Sequence, residues 1–101
     1  MQIKIEDTVN PFPKKIKLAV FDHIISIPGV VCPIQSIQMF FEERKIPVFI
    51  DGAHAFNQLS IDLQAFGVDA YFSNFHKWGF SPKNVAFLYI SDKFLDVIVE
   101  L

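Results

Sequence analysis

The sequence predicts an α/β fold built on a mixed, mostly parallel sheet. Three observations point there. Four short apolar runs, "KLAVFDHI", "PVFIDGAHA", "VDAYFSNFHK" and "NVAFLYIS", punctuate the chain. Segments with helical character separate the first from the second and the second from the third. The runs are continuously apolar, as strands are when both faces of a sheet are covered. Strand, helix, strand, short helix, strand, strand is the α/β order.

The elements follow one by one. "DTVNPFPKKIK" is turn-like, with prolines, an asparagine and clustered lysines. The first run then ends at Asp22 and His23, and "SIPGVVCP" is predicted as a loop. Pro33 suits the first position of a helix, where its missing N–H costs nothing. In "PIQSIQMFFEERK" the side chains of Ile34, Ile37, Phe40 and Phe41 share one face. Gln38, Glu42 and Glu43 are expected away from that face, and Pro47 ends the element. The second run stops at Asp51. "SIDLQAFG" holds a short helix with Ser60 or Asp62 near its start and Gly67 beyond its end. The third and fourth runs are joined by "GFSPKN", too short for a helical crossover, so the fourth strand is expected antiparallel to the third. "DKFLDVIVEL" begins another helix.

Composition narrows the function classes. The chain has 101 residues and a formal net charge of -2, with Arg44 its single arginine, which gives no basic field for a nucleic-acid backbone. The single cysteine, Cys32, excludes an internal disulfide and a cysteine-based zinc site, and reads as a small half-buried hydrophobe. No run approaches the ~18 apolar residues of a membrane span. "MQIKIEDTVN" has acids where a signal peptide has its apolar core, so the expectation is a cytoplasmic protein. Hydrophobic residues make up 51% of the chain, including twelve phenylalanines, more than so short a domain can hide. Four strands and two helices cannot cover both sheet faces. Residues 1–101 are therefore expected to form a single partial domain.

Each presumed parallel strand ends in polar chemistry: Asp22 and His23, then Asp51 and His54, then His76 and Lys77. Right-handed crossovers bring such ends to one edge, where open α/β sheets bind ligands. By spacing alone these residues are equally caps and turn formers. Lys77 taken alone is a lysine reaching solvent along Trp78, and Asp7, Asp69 and the Glu42–Glu43 pair read as solvated faces or turns. Asp51, His54 and His76 match no standard metal-ligand spacing.

The stretches "DHIISIPGVVCPI" and "VFIDGAHAFNQLSIDLQAFGVDAYFSNFHKWGFSPKNVAFLYI" resemble class V aminotransferase-like enzymes, in particular the isopenicillin-N-epimerase-like branch. The likeness covers about residues 16–92. It implies part of the large domain of a fold type I enzyme dependent on pyridoxal 5'-phosphate and acting on an amino acid as transferase, lyase or epimerase. Position by position, it implies that Lys77 bonds to the cofactor aldehyde and moves protons at the substrate Cα. Asp51 would pair with the protonated pyridine nitrogen, His54 would face the phenolic oxygen, and Ser26 would approach the ring. His76 and Asn74 would contact the phosphate. A lysine that attacks an aldehyde must first lose its proton, which burial beside a cation favours.

The same resemblance implies what this chain lacks: an upstream phosphate-binding loop, a ring-stacking side chain, and a later domain with a substrate-gripping arginine. Arg44 on the polar part of a helix is no substitute, and Cys32 does not match the catalytic cysteine of desulfurase relatives. Family sites are completed across a homodimer. The chain is thus expected to be a fragment inactive alone. The alternative is a truncated, non-catalytic homologue serving as a binding or assembly piece.

Overall fold

The structure is a computed structural model, and it describes residues 16–98. The turn expected at 7–15 and the last residues of the C-terminal helix expected from Asp92 lie outside the described residues. The elements are β1 (Ala19–Asp22), β2 (Ile24–Ile25), β3 (Val30–Val31), α1 (Ile34–Glu42), β4 (Val48–Asp51), α2 (Leu63–Phe66), β5 (Ala70–Asn74) and β6 (Ala86–Ile90), followed by a 3-10 turn at Asp92–Phe94. The four long strands form one sheet in the order β1-β4-β5-β6. β4 runs parallel to β1 and β5, and β6 runs antiparallel to β5, as its short connection requires.

The segment expected as a plain loop, "SIPGVVCP", instead contributes to a small antiparallel hairpin. Ile24 and Ile25 pair with Val31 and Val30, and Gly29 supplies a left-handed turn at φ 78°. Two-residue strands leave no readable period, which is why the sequence hides them.

α1 starts one residue later than expected, with Pro33 at its cap position. It ends where Lys45 turns left-handed at φ 55°, with the Lys45 N–H donating to the Glu42 carbonyl and Pro47 following. Its buried stripe is Ile34, Ile37, Gln38 and Phe41. Gln38 is therefore buried, contrary to expectation. It stands at i+4 from Ile34 and i+1 from Ile37, inside the i, i+3, i+4, i+7 stripe, while Phe40 falls on its flank.

α2 is a single turn closed at both ends. The Asp62 carboxylate accepts from the Ala65 N–H at 3.0 Å, and Gly67 takes the left-handed position at φ 67°.

The core lies between α1 and one face of the sheet. Ala19, Val48, Ile50 and Tyr71 meet Ile34, Ile37 and Phe41, with Val68 at the edge. Register places Val20, Phe49, Phe72 and Leu88 on the opposite face. There Val20 and Leu88 are 58% and 55% exposed, and Phe94 packs edge-on against Phe49 at 6.4 Å. No α-helix covers this face among the described residues.

Asp69 also corrects the sequence reading. It is 2% exposed, accepts from the Val48 N–H at 2.7 Å and pairs with the Lys93 ammonium at 2.5 Å. A buried carboxylate is tolerable only with such partners, and Lys93 lies too far along the chain to be read locally. This pair pins the end of the sheet away from the site.

Candidate functional site

The C-terminal ends of β1, β4 and β5 stand on one rim, with Asp22 beside Asp51 and Asp51 beside Phe72 in register. Two turns rise from that rim. The first, at residues 51–54, follows β4 and carries Asp51 and His54. The second, at residues 75–79, follows β5 and carries His76 and Lys77.

The acid-bearing turn is fixed by its own polar groups. The Asp51 Oδ1 accepts from the Ala53 N–H at 2.9 Å. Asp51 is thus a turn former, as its position at a strand end suggested, and its Oδ2 accepts no hydrogen bond among the described residues. The His23 N–H donates to the Asp51 carbonyl at 2.8 Å and the Gly52 N–H to the Phe72 carbonyl at 2.7 Å. The Gly52 carbonyl accepts from the Ser73 hydroxyl at 2.7 Å and from the Ala55 N–H at 2.9 Å. Position 52 must be glycine, because a Cβ there would overlap the Tyr71 phenol.

The lysine-bearing turn is stitched to the first. The Lys77 Nζ lies 3.4 Å from the His54 Nε2. The Asn74 amide donates to the Ala53 carbonyl at 3.5 Å, and its Oδ1 accepts from the Lys77 N–H at 3.2 Å. The Asn57 amide donates to the Trp78 carbonyl at 3.0 Å. Beneath these bonds Phe56 packs edge-on against Phe75 at 4.8 Å, and Phe75 lies against Phe87 at 5.3 Å.

The sequence-derived residues are thus distributed unevenly. Asp51, His54, Asn74 and Lys77 are joined, directly or through Ala53, into one group. His76 is on the same turn, exposed, without a hydrogen bond among the described residues. Ser26 sits in the exposed turn of the β2–β3 hairpin, and no hydrogen bond ties it to the group. Lys77 is exposed, so the burial its chemistry favours is not supplied by the described residues.

Behind the rim lies a pair that the sequence reading left without a role. His23 is 4% exposed and its Nδ1 is 2.7 Å from the Tyr71 hydroxyl, which is wholly buried. Burial lowers the His23 pKa and keeps the ring neutral. Burial, and then the charge of Asp51, push the Tyr71 hydroxyl up, so it keeps its proton. The bond therefore joins a neutral imidazole to a protonated phenol. A signal existed: Ala19, Phe21 and His23 alternate, which aims His23 toward the core face. The Cys32 thiol is likewise raised, by burial and then by Asp22, and it is half-buried as expected.

A mixed, mostly parallel sheet in an α/β chain is the frame of fold type I pyridoxal-phosphate enzymes, and solved structures of that fold superpose on it. SspA in complex with cysteine superposes with a TM-score of 0.83 at 27% identity, over 98% of this chain and 28% of that one. The apo cysteine desulfurase of Thermococcus onnurineus NA1 superposes with a TM-score of 0.75 at 20% identity, over 79% of this chain and 20% of that one. The chain belongs to the aminotransferase class-V family, whose model matches residues 1–100. That family is pyridoxal-phosphate-dependent. Among curated relatives, a putative L-cysteine desulfhydrase 1 of Oryza sativa subsp. japonica is 46% identical over 82% of this chain. The isopenicillin N epimerase of Streptomyces clavuligerus is 33% identical over 74% of it. The chain spans 17% of the length of the rice relative and 19% of the Streptomyces one.

Proposed function

We propose that this chain is the cofactor-holding core of a pyridoxal-phosphate-dependent enzyme acting on a sulfur-bearing amino acid of the cysteine type. The observation that carries the reading is the 3.4 Å approach of Lys77 to His54, on the rim that also bears Asp51. Relatives named for cysteine desulfhydrase activity, at 46% and 39% identity, favour that substrate class over the epimerase at 33%.

The residues present fit the cofactor. The Tyr71 phenol fills the space where a side chain at 52 would stand, so the turn presents its main chain and the Asp51 carboxylate at the rim. The free Oδ2 of Asp51 offers a negative acceptor to a protonated ring nitrogen, and charge pairing favours that proton. Lys77 supplies the amine that holds the aldehyde covalently and moves a proton at the substrate Cα. His54, next to that amine, would face the phenolic oxygen. His76 and Asn74 would donate to the phosphate, and Ser26 would be the small polar residue toward the ring. The bound cofactor supplies an electron sink for the charge developing at Cα. In this reading residues 1–101 are one partial domain, the complete site forms in a homodimer, and the compartment is cytoplasmic. The described residues hold no helix long and apolar enough to cross a membrane.

A second reading is favoured by two observations, the exposure of Lys77 and the open sheet face: a truncated homologue that binds a partner and no cofactor. Titration with pyridoxal phosphate decides between them. The first reading expects a visible absorption band in the wild-type chain that Lys77→Ala abolishes. Equal cofactor binding by both proteins contradicts the role of Lys77. No binding by either favours the second reading.

A further inference from the structure

We infer that His23 and Tyr71 are a buried positioning pair that sets the height and direction of the Asp51 turn. The inference deepens the functional reading above and rests on it for the identity of what Asp51 faces.

Four observations meet at this pair. The Tyr71 phenol occupies the space where a side chain at position 52 would stand, so the ring is the floor on which Gly52 rests. The phenol is held in turn by its 2.7 Å bond to His23. His23 grips the turn a second time through its own N–H, at 2.8 Å from the Asp51 carbonyl. The imidazole lies edge-on to Phe66 at 5.5 Å, and the His23 main-chain carbonyl accepts from the Cys32 N–H at 2.8 Å. One residue thus holds the acid's backbone directly and holds its floor through a tyrosine. β1, α2, β5 and the hairpin all bear on the acid through this pair.

The pair touches none of the reacting groups, so its contribution is positional. Any buried phenol needs a hydrogen-bond partner; what sets this one apart is that its partner also holds the Asp51 carbonyl. Packing alone would be met by phenylalanine at 71 and leucine at 23. Here both polar atoms are buried and mutually satisfied, and an unsatisfied member is costly. The bond gives Tyr71 one rotational setting, and therefore gives Gly52 one height. A shift of the turn by even a fraction of an ångström would move the Asp51 oxygen relative to the Lys77 amine, the two groups that would hold the cofactor.

The test is a coupling measurement on the full 101-residue chain. Tyr71→Phe keeps the ring and removes the bond. It is expected to weaken pyridoxal phosphate binding about fivefold. In an Asp51→Asn background the same change is expected to cost under about twofold, because a residue acting through Asp51 has nothing left to position. His23→Gln retains an acceptor for the Tyr71 hydroxyl and is expected near wild type, whereas His23→Leu resembles Tyr71→Phe. A purely structural tyrosine would show the same loss with and without Asp51, and that result overturns the inference. Amide hydrogen exchange of the cofactor-free chain provides a second arm. Tyr71→Phe is expected to accelerate exchange at Gly52 and Ala53 more than at Ile50. Uniform acceleration across β4 means general destabilisation and also overturns it. A wild-type chain that binds no cofactor would sink the functional reading instead, and the exchange arm would still decide this one.

Discussion

The two turns of the rim are built in opposite ways. The Asp51 turn is clamped: its carbonyls and N–H groups are bonded to the end of β1 and to β5, and the fully buried Tyr71 lies under it. The Lys77 turn stands out from the sheet. His76, Lys77 and Trp78 are exposed, and Phe80 beyond them is 96% exposed in a left-handed conformation, φ 56°. The difference teaches that the acid half of the site is organised by this chain alone. The lysine half is tied to the first turn by the Lys77–His54 approach and by two asparagine side chains, yet it leaves its apolar surface exposed among the described residues.

Substitutions can break that contrast, and the largest effect falls on the clamped side. Gly52→Val drives a branched side chain into the Tyr71 phenol. It is expected to cost about 1–3 kcal/mol in urea denaturation, the range for overpacking a filled site. On the open side Phe80→Ala is expected to change stability by less than about 0.5 kcal/mol. Equal costs at the two positions would erase the distinction.

A smaller effect is expected from acid. Burial depresses the His23 pKa below its ordinary 6.5, so the folded chain binds fewer protons there than the unfolded one. The stability this contributes is complete above pH 6.5, and it declines as pH falls through that value toward the depressed pKa. Denaturation midpoints at about pH 7.5 and about pH 5 should separate less in His23→Gln than in wild type. An unchanged separation would show that His23 does not titrate against folding.

Much of this was legible in the residues. Asp62 and Gly67 announced a one-turn helix, and "GFSPKN" was too short to be anything but a link between antiparallel strands. Crossover handedness brought Asp22, His23, Asp51, His54, His76 and Lys77 toward one edge, and only the family resemblance singled out Asp51, His54 and Lys77 among them. What stayed hidden depended on distant partners. Asp69 was taken for a solvated acid because Lys93 reaches it only through the folded sheet. Gln38 was placed outside because its polarity outweighed its position in the stripe. His23 looked like rim chemistry because it follows Asp22, yet its parity with Ala19 and Phe21 sends it inward to Tyr71. Ser26 was expected at the ring, and the hairpin that carries it could not be foreseen from two isolated residue pairs.

The most direct test of the central claim is chemical trapping. The chain is incubated with pyridoxal phosphate and reduced with borohydride, and its peptides are mapped by mass. The account predicts the cofactor mass on the peptide containing Lys77 and on no other of the eight lysines of the sequence. Label spread over Lys45, Lys83 and Lys93, with Lys77 no more modified than they are, would contradict it.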